Sequence, residues 1–305
     1  MNKAMTVHSR RTIPGFELTL GYTVLYLSLF VLIPLGGLLL KTTQLSWDEL
    51  WSTITDPVVV ASYKLTFGAS AVAALCNAVF GLVVAWTLVR YSFPGRRLFD
   101  ALIDFPFALP TAVAGLTFSS LYLKDGWIGG FGSRLAAGLN GLGAMLGRPD
   151  LVSPDVFGWL DFPFTNTNAG IVIVLIFVGL PFVVRTVQPV LQDWDMEVEL
   201  AAESLGAGPW TIFRRVIFPA IFPAWLSGSA LAFARAVGEY GSVIFIAGNI
   251  PGKSQIAPLQ IVTKLDDFRY AQATAIGVVL LGASLLILLL INGVDSWFRH
   301  RGAVA

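Results

Sequence analysis

Glu199 to Pro219 reads ELAAESLGAGPWTIFRRVIFP, a polar stretch between two apolar runs and too polar to cross a bilayer itself. Ala201, Ala202 and Leu205 fall at helical spacing with Glu199 and Glu203 beside them, which predicts a short helix with one apolar face. Gly206 and Gly208 accept the positive φ that ends a helix, and Pro209 suits the first turn of the next. Ile212, Phe213, Val216 and Ile217 supply the second helix with its apolar stripe, and Pro219 is expected to stop it. A Gly-turned helical knob offers a soluble partner something to grip. A well-folded inter-helix loop is the plainer reading, and spacing alone leaves both open.

Outward from this stretch the chain is made for a membrane. Hydrophobic residues reach 55% and charged residues only 13%, with mean hydropathy +0.73, outside the soluble range. A hydrocarbon core of about 30 Å needs roughly 20 residues of helix. Six runs meet that length, near 18–40, 65–89, 99–123, 169–190, 223–248 and 270–294. The expected organisation is a tail over 1–17, one transmembrane domain over 18–294 carrying the polar loop at about 195–220, and a tail over 295–305. Small residues in the second and fifth runs (Gly68, Ala69, Ala73, Ala74 and Gly81; Ser227, Gly228, Ala230 and Ala234) permit close helix approach and predict a bundle that pairs with another such subunit. Pro106, Pro110 and Gly115 loosen the third run and predict a kink or gate there, or plain packing. Residues 124–168 form a Gly-rich insert, read as flexible.

A net charge of +1 gives no footprint for nucleic acid. The distribution of charge says more. Arg10 and Arg11 precede the first run, Arg90, Arg96 and Arg97 follow the second, Arg214 and Arg215 sit in the polar loop, and Arg299 and Arg301 follow the sixth. By the positive-inside rule both termini and these loops face the cytoplasm. The apolar run after Ser9-Arg10-Arg11 is too long for a secretory signal and lacks a small-x-small site, so a retained first span is expected.

Catalytic chemistry is poorly represented. His8 and His300 lie in the tails, no Cys/His/acid cluster has metal-ligand spacing, and the lone Cys76 excludes an intrachain disulfide. Gly248 to Ser254 imitates a phosphate loop, but Ala247 holds the position of its first Gly and no strand precedes it. The expectation is a chain that is not an enzyme by itself and holds no cofactor of its own.

The polar loop resembles the EAA loop of ABC-importer permeases: E-A-A, three residues, Gly, nine residues, then I-x-L-P. Ala201, Ala202, Gly206 and Pro219 match it. Leu200 stands where its first Glu would be, Val216 for Ile and Phe218 for Leu, and Glu199 and Glu203 flank the lost acid. FPFALPTAVAGL (Phe105 to Leu116), PFVVRTVQPVL (Pro181 to Leu191) and GEYGSVIFIAGN (Gly238 to Asn249) resemble the T-type permease of sulfate/thiosulfate importers. SRRTIPGFELTLG near the start and YSFPGRRLFDALIDFPF before the third run do so too. The resemblance implies an all-α, six-helix integral membrane permease bundle of the type I ABC importer class, with a cytoplasmic EAA coupling loop, in the bacterial inner membrane. It implies Glu199, Ala201, Ala202, Glu203, Gly206 and Pro219 as the coupling surface. The implied partners are a homologous W-type permease, a dimer of cytoplasmic ATP-binding subunits that use ATP and Mg, and an extracytoplasmic sulfate-binding protein. The alternatives are another oxyanion such as molybdate, or an ATP-independent secondary transporter.

Ionisable residues within the runs point to an anion path. Arg235 and Glu239 stand at i, i+4, on one face of a continuous helix, either as a pair that only locks the bundle or as an anion-attracting Arg restrained by its acid. Arg185, between Pro181 and Pro189, lies near enough to the cytoplasmic end to snorkel, with a place on the anion path as the alternative. Arg96 and Asp100, also at i, i+4, are expected to pair as an interfacial anchor.

Overall fold

The computed structural model describes residues 15–302 apart from 124, 132–133, 135–137, 139–144 and 146–164. Most of the Gly-rich insert and the arginines of the N-terminal tail therefore lie outside the described residues. So do the side chains of Arg299, His300 and Arg301.

Every regular element among the described residues is helical. Five helices among these residues are long and apolar enough to span a bilayer: α1 (Phe16–Thr42), α3 (Pro57–Arg90), α7 (Asn168–Gln192), α9 (Pro209–Val237) and, within α12 (Tyr270–Gly302), Tyr270–Ile291. Shorter helices join them: α2 (Trp47–Ile54), α4 (Arg96–Ile103), α5 (Phe105–Ala108), α6 (Thr111–Tyr122), α8 (Met196–Ser204), α10 (Val243–Ile246) and α11 (Ala257–Asp266). Their starts are written in the sequence. Asp56 accepts from the Val58 N–H at 2.8 Å ahead of Pro57, Thr167 caps α7 through the Gly170 N–H, and Ser46 and Glu49 form a reciprocal capping box on α2.

The centre of the molecule is α7, packed along α3 and α9. Val183, Val184 and Val187 are fully buried there with Ala85, Ile221 and Ala232. Small residues make this contact possible within one chain. A Cβ on Gly81 would lie 2.8 Å from the Val183 Cβ, and one on Gly228 would lie 2.9 Å from the Val183 Cα and 2.0 Å from the Thr186 hydroxyl. The α1 helix is the opposite case, with no buried residue in its apolar window.

Four expectations differ. The third run is not one helix but α4, α5 and α6 in succession, because Pro106 opens α5 and Leu109 and Pro110 are extended. The fifth run does not continue to 248: α9 ends at Val237, Gly238 leaves the helix, and only α10 follows before the turn at 248–254. Pro219 does not stop its helix. Phe213–Ile217 is a π turn, with the Phe218 N–H bonded to the Phe213 carbonyl, and this widened turn admits the proline ring without ending α9. The sixth run in turn extends to Gly302. The phosphate-loop imitation is a turn with positive φ at Gly248, Asn249 and Gly252, closed by the Ser254 hydroxyl on the Ile250 N–H at 3.1 Å.

Candidate functional site

The two halves of the polar loop fold as α8 and the first turns of α9. Asp195 caps α8 by accepting from the Glu197 N–H at 2.9 Å. Gly206, at φ 84°, closes it: its N–H reaches the Glu203 carbonyl at 2.8 Å and the Ala207 N–H reaches Ala202 at 3.1 Å. This pair of bonds is a Schellman motif, which turns the chain into Gly208 and Pro209 at the start of α9. Ala202 and Ala207 pack against the buried cluster around Ile212 and Val187, whereas Ala201, Glu203 and Pro219 are exposed. Leu205 (89%), Trp210 (70%) and Leu200 (58%) expose large apolar surface beside them. A polar hairpin with this many uncovered apolar side chains has the composition of a docking surface.

Glu199 is placed differently from the other acids of the hairpin. It turns inward to form an ion pair with Arg90 at the end of α3, and their side chains are 18% and 13% exposed. Arg90 also stands over the Trp86 ring, 4.9 Å from its centroid, and its Nη1 lies 2.7 Å from the Met196 sulfur. Positive charge after the second span was legible as orientation. Nothing in local spacing pointed to a partner 109 residues away.

Arg185 has partners that its spacing did not announce. It is held between two carboxylates of the broken third run: Nε and Nη2 grip Asp104 at 2.8 and 2.7 Å, and Nη1 reaches Asp100 at 2.7 Å and Gln188 at 2.6 Å. Nη2 also bonds the Asp100 carbonyl at 2.8 Å. With these bonds all the donors of a guanidinium are occupied. In place of the expected Arg96 contact, the Asp100 carboxylate accepts from Arg185 Nη1 and from the Gln188 amide at 3.2 Å, partners held by packing rather than by a solvated i, i+4 spacing.

Arg235 and Glu239 do pair, Nη1 to Oε2 at 2.5 Å, but not along a continuous helix. Arg235 is in the last turn of α9, and Glu239 follows its end at Val237. The Glu239 side chain is 2% exposed and also accepts from the Ser242 N–H at 3.0 Å and hydroxyl at 2.7 Å. Arg235 is 35% exposed, and among the described residues its remaining N–H groups have no other partner. One arginine is thus saturated and the other is held on one side with donors to spare.

Comparison with known proteins identifies the family. Residues 77–301 match the family described as the binding-protein-dependent transport system inner membrane component. The sulfate transport system permease protein CysT of Salmonella typhimurium is 45% identical over 97% of this chain and 98% of its own length. The protein of the same name from Escherichia coli is 46% identical over 97% and 98%, and that from Synechococcus elongatus 46% over 92% and 92%. Among solved structures, a bacterial ABC transporter that imports the acidic polysaccharide alginate superposes with a TM-score of 0.67 at 15% identity, covering 92% of this chain and 94% of the other, a likeness of fold. The chain belongs to the binding-protein-dependent inner-membrane transport components, within the CysT permeases, and is a multi-pass protein of the inner membrane.

Proposed function

We propose that this chain is the translocating subunit of an ATP-driven importer of sulfate and thiosulfate. The observation that carries the reading is identity of about half the residues to sulfate permeases along nearly the full chain, the loop Glu199 to Pro219 included. The chain crosses the membrane six times with both termini in the cytoplasm, the succession α4–α6 making one crossing. It pairs with a homologous W-type permease, stands on a dimer of cytoplasmic ATP-binding subunits and receives its anion from an extracytoplasmic binding protein. ATP and Mg belong to the ATP-binding subunits.

In this assembly the hairpin of α8 and the start of α9 is the coupling surface, the EAA loop of the chain. Ala201, Glu203, Leu205 and Trp210 lie on its outside, Ala202 braces it against the bundle, and the left-handed Gly206 sets its angle. Closure of the ATP-binding subunits pushes the hairpin, and the bundle turns from inward- to outward-facing. Arg235 is the anion-attracting group of the path. Its spare donors hold an oxyanion, and Glu239 limits that hold so that the anion leaves again. Arg185 is a structural tie, because every donor it owns is already used.

Purification of the chain with its ATP-binding and partner permease subunits, reconstitution with the binding protein, and assay of ATP hydrolysis against anion supplies the test. Stimulation by sulfate or thiosulfate is expected. Stimulation by molybdate alone would reassign the cargo, and uptake without ATP hydrolysis would replace the importer with a secondary transporter.

A further inference from the structure

The cytoplasmic end of α3 holds both arms of the coupling hairpin, α8 through the Arg90–Glu199 pair and α9 through Trp86. Arg90 is the last residue of α3, the helix on which α7 and α9 pack. Its guanidinium grips α8 twice on one face, through Glu199 and, one turn earlier, through the sulfur of Met196 at 2.7 Å. The ring beneath it, Trp86, meets Phe213 of α9 edge-on at 5.5 Å, so the other arm of the hairpin is held to the same end of α3. Among the described residues, every side-chain hydrogen bond or ion pair between α8 and a membrane span comes from Arg90. The side chains of this pair are 13% and 18% exposed, well below the level at which solvent dissolves an ion pair into a weak surface contact. The Nε of Arg90 is buried without a hydrogen-bond partner, so the group is held by its neighbours rather than by its own full set of bonds.

We propose that Arg90 and Glu199 are positioning residues that transmit displacement of the coupling hairpin into α3, and that the acid presented to the ATP-binding subunit is Glu203. This rests on the proposed importer function. Glu199 flanks the position that Leu200 takes from the usual acid, but it is already committed inside the chain. Glu203, one turn further along α8, is exposed beside Leu205 and Leu200. The two acids therefore have separate tasks, one facing the bundle and one facing the partner.

The test uses the complete reconstituted complex with its binding protein, comparing Arg90→Ala, Glu199→Gln, Glu203→Gln and the exchange Arg90→Glu with Glu199→Arg. Glu199→Gln keeps the size and hydrogen-bonding capacity of the side chain and guards against a folding defect. Per assembled complex, Arg90→Ala and Glu199→Gln should raise the ATP consumed per sulfate imported about fivefold or more, the lower range of an allosteric coupling. Both should leave the ATP-binding subunits associated, and the exchange should recover part of the coupling. Glu203→Gln should instead weaken co-purification of the ATP-binding subunits. Unchanged ATP per sulfate in both Arg90→Ala and Glu199→Gln would overturn the strut, as would loss of the ATP-binding subunits in Glu199→Gln but not in Glu203→Gln. An unaltered complex that imports sulfate without consuming ATP would overturn the importer reading itself, and is told apart because it fails before any substitution is made.

Discussion

In the proposed importer, the tasks of Arg185 and Arg235 divide according to their unused donors. Arg185 has none, so Arg185→Ala leaves Asp100 and Asp104 facing each other without their cation. The expected cost is about 1.5–3 kcal/mol for hydrogen bonds to charged groups, read as less assembled complex with unchanged flux in each complex. Arg235→Ala removes the donors that are not committed and leaves Glu239 as a bare repelling charge. Its flux per assembled complex should fall about tenfold, equivalent to about 1.4 kcal/mol on the barrier. Removing Glu239 as well should restore part of it. Normal flux per complex in Arg235→Ala, with only abundance reduced, would make the pair a lock and nothing more. A third residue tests the hairpin: Gly206→Val forces a branched side chain into φ 84° at a strain of about 1–2 kcal/mol. Nothing lies within 4 Å of a Cβ there, so the penalty is purely conformational. Gly206→Asn, which tolerates that region, should keep more of the coupling between uptake and hydrolysis than Gly206→Val. The Arg235 pair was legible because its members stand only four positions apart. The partners of Arg185 stand 81 and 85 residues away, where one sequence offers no periodicity to follow.

At the scale of elements, long apolar runs declared themselves, while the extent of their interruptions did not. Pro219 matches a helix stop by every local rule, yet the π turn before it absorbs the ring, and α9 runs from Pro209 to Val237. Pro106 and Pro110 looked milder and had the larger effect, breaking the third run into three helices. The difference lies in the backbone at each proline: a widened turn precedes Pro219, whereas Leu109 and Pro110 are extended. The last piece of the broken run, α6, docks on the other broken segment. A Cβ on Gly115 would fall 2.3 Å from the Ser242 carbonyl oxygen and 2.7 Å from its Cα. Backbone atoms cannot rotate away, so Gly115→Ala must push α6 from the turn that carries Glu239. Overpacking of this kind costs about 1–3 kcal/mol. We expect less folded protein and disturbed flux in what remains. Gly68→Ala, on a face with nothing within 4 Å, should be silent in the same detergent-stability assay.

For the whole molecule, the deciding quantity is how often the chain crosses the bilayer. Among the described residues five helices are long enough to do so alone, and α4–α6 is the succession on which the sixth crossing depends. Ser92 lies just before that succession and Ser204 lies at the end of α8, both exposed. Between them stand α4–α6 and α7. If the broken run crosses, two crossings separate these serines and they share a side of the membrane. If it enters and returns, one crossing separates them and they face opposite sides. Lys253, exposed in the turn between α10 and α11, is one further crossing from Ser204 through α9. Charge argues for the cytoplasm at Ser92 and Ser204, since Arg90, Arg96 and Arg97 surround the first and Arg214 and Arg215 follow the second. Single cysteines at Ser92, Ser204 and Lys253, with Cys76 replaced, can be labelled by a membrane-impermeant maleimide in right-side-out and inverted vesicles. Ser92→Cys and Ser204→Cys should react only in inverted vesicles and Lys253→Cys only in right-side-out ones. Opposite labelling of Ser92→Cys and Ser204→Cys would turn α4–α6 into a re-entrant element and leave the chain with five crossings. The Arg185–Asp100–Asp104 cluster would then tie a re-entrant loop to α7 instead of joining two spans.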